Sequence, residues 1–189
     1  MEMADIWGAA DRPWNGEELR SVCPPIDFVG INYYLRLVVC DDPSAGPARA
    51  RSVPQVNSPH TSMEWEIYPA GLGETLMWVR QRYGNVPLYI TENGAAFDDQ
   101  VRENGAVEDT HRVKYLQDHL VVARQAIDAG VNLKGYFVWS LLDNFEWQHG
   151  YSKRFGIVHV DFATQRRVPK SSARFYANVI RTNGAALKG

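Results

Sequence analysis

Short apolar runs alternate along this chain with stretches in which apolar residues recur every three or four positions. The runs are Asp27 to Tyr34, Val86 to Thr91 and Leu133 to Leu142. Each has the length of a strand and closes on polar or aromatic groups. The periodic stretches predict three helices. Over Gly71–Tyr83, Leu72, Leu76 and Val79 form one stripe, and Gly84-Asn85 supplies the stop. Over Thr110–Ala129, Val113, Leu116, Leu120, Ala123 and Ile127 recur at helical spacing, with Asp109 placed to cap and Gly130 to terminate. Over Ser171–Arg181, Phe175 with Val179 and Tyr176 with Ile180 make the apolar pairs. Three stretches carry no period: 41–62, a long loop rich in Pro, Ser, Ala and Arg; 95–109; and a turn running through Gly150, Phe155-Gly156 and Asp161-Phe162. Near-continuous apolar strands separated by helices predict an α/β fold with a parallel sheet covered on its faces.

Composition adds limits. With 189 residues and 45% hydrophobic content, residues 1–189 suffice for one domain with a real core. A formal net charge of -2 gives no reason to expect a nucleic-acid partner. No apolar run is long enough for a bilayer, and Met1-Glu2-Met3-Ala4-Asp5 lacks the basic-then-apolar layout of a secretion signal, so a cytoplasmic location is expected. Cys23 and Cys40 fit neither a zinc-ligand spacing nor a disulfide framework and read as reduced thiols. Neither a metal nor a cofactor is expected. The first twenty residues read as the tail of a connecting segment, with Trp7 and Trp14 as apolar anchors.

The candidate chemistry collects at the strand ends. Asn32 and Tyr34 close the first strand, Glu92 and Asn93 the second, and Trp139, Glu146 and Trp147 lie at or beyond the end of the third. Parallel strands bring their C-terminal ends to one rim, so these groups should converge. One strand-end Glu is as often a capping or solvated residue as a catalytic one, a single Trp is more often core, and Asn32 can equally satisfy a backbone amide. The convergence of three strands favours a ligand site, and among six tryptophans and nine tyrosines the rings at strand ends can stack on a ligand.

These residues also carry a family likeness. The segments 27–34 (DFVGINYY), 65–69 (WEIYP), 90–94 (ITENG) and 139–147 (WSLLDNFEW), in this order and spacing, resemble glycoside hydrolase family 1, the family of the β-glucosidases. The resemblance implies the C-terminal portion of a (β/α)₈ barrel, about its sixth to eighth strands with their helices. It implies that Glu92 is the nucleophile of a retaining mechanism, forming a glycosyl-enzyme ester that water later breaks. Tyr34 matches the tyrosine whose hydroxyl holds that carboxylate in line, and Asn32 a polar group close by. Glu146 and Trp147 match the pair that reads the sugar hydroxyls, Trp139 the platform under the sugar, and Phe155 and Trp65 the walls on the glycone and aglycone sides. Glu64 departs from the small residue often found before that Trp. Members acting on 6-phosphorylated sugars generally carry a small hydroxyl residue at Glu146 and a tyrosine at Phe155. A carboxylate repels phosphate, so plain β-D-glucosides, and by extension galactosides or fucosides, are the implied substrates. Lys153 then reads as a solvated turn residue.

One element of the mechanism is missing from the string. Retention needs a second carboxyl group about 5 to 5.5 Å from the nucleophile. In the family it lies in an Asn-Glu-Pro segment, which does not occur here. Glu64, Glu66 and Glu108 are poor substitutes, since none falls at a predicted strand end. Three strands cannot close a barrel, so the expected partner is the N-terminal barrel part or a second copy of the chain. Two readings follow: the nucleophile-bearing part of a retaining β-glucosidase, or a barrel fragment that binds sugar without turnover.

Overall fold

The computed structural model describes residues 24–187. Among the described residues, seven strands and three α-helices follow one another in the order β1 (Val29–Asn32), β2 (Val39–Asp41), β3 (Ala50–Ser52), α1 (Pro69–Tyr83), β4 (Leu88–Asn93), α2 (Thr110–Asp128), β5 (Leu133–Val138), β6 (Val158–Val160), β7 (Arg167–Pro169) and α3 (Ser171–Arg181). Short 3₁₀ turns occupy Trp147–His149 and Ala185–Leu187. None of the described helices is long and apolar enough to cross a membrane. Cys40 is a half-buried free thiol, whereas Cys23, Trp7, Trp14 and the N-terminal connecting segment lie outside the described residues.

The chain forms two compact units. Among the described residues, the smaller comprises 24–27 and 37–57. It contains the antiparallel hairpin of β2 and β3, in which Cys40 pairs with Arg51. The 41–62 stretch is therefore not a structureless loop. Its three-residue strands are too short to register as alternation, and Arg49–Asp41 and Arg51–Asp42 ion pairs brace the turn instead of apolar packing.

The larger unit contains 28–36 and the described residues from 58 onward. Its sheet has the order β1-β4-β5, all parallel. Parallel neighbours need long crossovers, and α1 and α2 provide them. Leu72, Leu76 and Val79 of α1 pack with Ile31, Leu88, Ile90, Ala123, Ala126 and Val131 in one apolar layer. A second layer joins Leu116 and Leu120 of α2 to Ala95, Ile157 and Val179. The stripes of α1 and α2 largely follow the sequence pattern. Ile127, expected inside, is exposed, and α2 instead buries Arg112, Tyr115 and His119. On the other face of the sheet, Phe28 and Phe137 are each more than half exposed.

Two boundary expectations need correction. Asp109 stands at the N-cap position of α2 but makes no capping bond, because its carboxylate is committed to Arg112 and Ser172. The long turn after residue 150 contains a second antiparallel hairpin, β6 with β7, again built from three-residue strands.

Candidate active site

Parallel pairing places the ends of β1, β4 and β5 on one rim, where a cavity of about 480 Å³ opens. Asn32, Tyr34, Trp65, Glu92, Trp139, Glu146, Trp147 and Phe155 all line it. The eight residues singled out from sequence thus share one site.

Tyr34 donates its hydroxyl hydrogen bond to Glu92 Oε2 at 2.6 Å. Burial, followed by that bond and the Glu92 charge, pushes the phenol far above its ordinary pKa, so it stays protonated and remains a donor. Asn32 accepts a 2.6 Å bond from Thr91 Oγ1, which ties the end of β1 to β4, and does not serve a backbone amide. Gly94 follows Glu92 and Asn93 for a steric reason: a Cβ there would collide with the Trp139 carbonyl. The Trp139 amide donates to the Asn93 carbonyl at 3.0 Å, bringing Trp139 close to the end of β4.

Tyr34, Trp65 and Phe155 form one aromatic wall, with ring centroids 5.4, 5.9 and 6.3 Å apart for the three pairs. Next to Trp65 in the chain, the Glu66 carboxylate accepts a forked pair of bonds from Arg36 at 2.8 and 3.0 Å and a third from Ser58. The Arg36 fork holds the Glu66 carboxyl below its ordinary range, which removes it as a proton donor. Glu108 pairs with Arg102, and Glu64 is exposed with a left-handed backbone (φ 61°). None of the three lines the cavity.

Glu146 stands at the N-cap position of the short turn that carries Trp147, without a side-chain capping bond, and Trp147 is 81% exposed and left-handed at φ 38°. Burial, and then the Glu92 charge, raise the Glu146 pKa, while His149 and the Trp139 indole oppose the rise. Met63, Gln148 and His149 also line the cavity and were missed in the sequence reading. Gln148 and His149 directly follow Trp147, so adjacency to the motif was the available signal; Met63 offered none. Lys153 is half-buried and donates to the Ser62 carbonyl at 2.5 Å, contrary to the expected solvated turn residue.

A buried ionic brace fixes the loops that carry these groups. Lys170 Nζ lies 2.5 Å from Asp99 and 2.8 Å from Asp143, and Arg112 reaches Asp109 at 2.5 Å and Asp99 at 2.8 Å. Arg154 completes it at 2.7 Å from Asp143. Asp143 also accepts the Gly156 amide at 2.9 Å, beside Phe155. A side chain at Gly156 would strike the Asp143 backbone. Among the described residues no His, Cys, Asp and Glu cluster of three or more has metal-binding geometry.

The sequence profile of glycosyl hydrolase family 1 matches residues 10–185. The chain belongs to glycosyl hydrolase family 1. It is 52% identical over 168 residues to a beta-glucosidase A of Thermotoga maritima, covering 89% of this chain and 37% of that protein. It is 37% identical over 204 residues to a 6-phospho-beta-galactosidase of Streptococcus equi subsp. zooepidemicus, covering 98% and 43%. Among solved structures, the family 1 β-glucosidase of Thermotoga maritima superposes with a TM-score of 0.82 at 54% identity, over 85% of this chain and 36% of that one. The same enzyme in complex with glucoimidazole gives 0.85 at 50% identity, over 89% and 37%. This family 1 chain therefore spans little more than a third of the relatives it matches.

Proposed function

We propose that this chain is the nucleophile-bearing part of a retaining β-glucosidase, equivalent to about strands six to eight of the barrel. The observation that carries the reading is Glu92 at a strand end, hydrogen-bonded by Tyr34 at 2.6 Å in the cavity that also holds Glu146 and Trp147. In the first step a Glu92 oxygen bonds to the anomeric carbon as the bond to the aglycone oxygen breaks, and that oxygen takes a proton from a second carboxylic acid. In the next step the second carboxylate removes a proton from water, which displaces Glu92 with net retention. Glu66 and Glu108 are held in ion pairs, so the second carboxyl group comes from the N-terminal part of the barrel. Trp139 offers a flat face to the sugar ring. Glu146 accepts hydroxyl protons and the Trp147 indole donates one, so together they read the glycone.

Unphosphorylated β-glucosides suit this cavity better than 6-phosphosugars. Glu146 repels a phosphate, Phe155 has no hydroxyl to offer, and the Lys153 ammonium is already engaged by Ser62. The deciding experiment uses a 2-deoxy-2-fluoro-β-glucoside with a good leaving group, which needs little acid help, followed by peptide mass mapping of chain and N-terminal part together. Glycosylation of Glu92 is the expected result, and label on another residue contradicts it. A second reading, sugar binding without turnover, draws on the absence of an Asn-Glu-Pro segment. It predicts that the chain alone binds glucoimidazole yet releases no aglycone. Loss of general acid help alone lowers the rate by roughly 10² to 10⁴.

A further inference from the structure

Strand β4 loses its alternation where the chemistry begins. Leu88 and Ile90 are buried in the apolar layer shared with α1 and α2, and strict alternation would send Glu92 after them. Instead Thr91 is exposed, Glu92 is half-buried toward the cavity, and Asn93 is fully buried. The pairing slips at the same place, between Ile31 and Asn32 on the β1 side and between Ile90 and Asn93 on the β5 side. An inserted residue of this kind re-aims the side chains that follow it.

The Asn93 side chain meets three elements at that slip. Nδ2 donates to the Tyr33 carbonyl at 2.7 Å and to the Tyr115 hydroxyl at 3.0 Å, and Oδ1 accepts from the Tyr136 hydroxyl. These partners follow β1, lie on α2 and lie within β5. Both donor hydrogens and the oxygen of the amide are thus engaged inside the protein, where a lost partner leaves a buried polar group unpaired. On either side, the Glu92 carbonyl accepts from Tyr33 N and the Asn93 carbonyl from Trp139 N.

We propose that Asn93 is a positioning residue for the reaction, its side-chain amide holding the irregularity in β4 that turns the Glu92 carboxylate out of the sheet toward Tyr34 and the sugar cavity. The proposal rests on the reading of Glu92 as nucleophile. Its test has one arm that does not. In the whole chain the Tyr34 hydroxyl proton, shared with a carboxylate across 2.6 Å, should give a downfield proton resonance, assigned by its loss in Tyr34→Phe. Asn93→Ala removes the amide, and Asn93→Asp keeps its shape but exchanges the Nδ2 donor for an acceptor facing the Tyr33 carbonyl. Both should lose or shift the resonance while retaining native circular dichroism; Val79→Ala, a cavity in the apolar layer, should leave it in place. An unchanged resonance in a folded Asn93 variant overturns the proposal, as does its absence from the wild type. Collapse of both variants to unfolded chains would overturn it too, making Asn93 a stability residue. In the second arm, Glu92 labelling by the fluoroglucoside in the assembled barrel should slow at least about 100-fold in Asn93→Asp, the scale of a small misplacement of a reacting group. Labelling at the wild-type rate counts against Asn93. A wild type that labels elsewhere counts against the nucleophile and leaves the resonance result standing.

Discussion

Leu72, Leu76, Leu88 and Ile90 dominate the layer between the sheet and its helices, whereas Arg112, Lys170, Asp99, Asp109 and Asp143 lie buried by the strand ends. The apolar layer is non-directional: it holds helices against a sheet and tolerates small adjustments. The ionic brace is directional. Its Lys170–Asp99, Lys170–Asp143, Arg112–Asp99 and Arg154–Asp143 bonds join separate segments, and the segment around Asp143 carries Trp139, Glu146 and Phe155. The molecule uses water exclusion to assemble its elements and paired charges to aim its site.

The sharpest way to break that division is Asp143→Ala. It leaves Lys170 buried with one carboxylate fewer and frees the Gly156 amide, and should cost about 3–5 kcal/mol in urea unfolding. Where the variant stays folded, glucoimidazole binding should weaken. Leu76→Ala should cost about 2–5 kcal/mol by the same measurement while leaving the Tyr34 resonance unmoved, because the cavity it opens lies in the apolar layer. A matching loss of ligand binding there would erase the distinction.

His119 tests the apolar side with pH. It is fully buried in α2, stacked on Tyr115 at 4.0 Å, with Nε2 unpartnered, and burial pushes its pKa down from 6.5 to about 4. The unfolded chain takes up this proton below pH 6.5 and the folded one does not. Stability from this group is therefore full above 6.5 and is lost as the pH falls toward 4, by up to about 3 kcal/mol. The difference between wild-type and His119→Leu unfolding curves should show that slope; a flat difference removes His119 from the account. The smallest effect belongs to the exposed pair Arg124–Asp128, where Arg124→Ala should change stability by less than about 0.5 kcal/mol.

The same division explains what could be read from sequence. The stripe Leu72, Leu76, Val79 is local and periodic, so α1 was visible, and the strand-end groups followed from parallel topology. The brace was not visible. Asp99 and Lys170 stand 71 positions apart, and Arg112 reads as the solvated side of α2 until its partners are known. Nor could alternation reveal the slip in β4, since Glu92 and Asn93 are both polar and only burial separates them.

Asn93 precedes Gly94, and in a loose chain that dipeptide degrades: the glycine nitrogen attacks the side-chain amide, ammonia leaves, and the succinimide opens to aspartate or isoaspartate. In the folded protein the amide is buried and bonded at both ends, and that attack is blocked. Each episode of unfolding exposes it, so the chemical lifetime of this site is tied to the folding equilibrium, whereas Asn104-Gly105 and Asn183-Gly184, with exposed asparagines, have no such shelter.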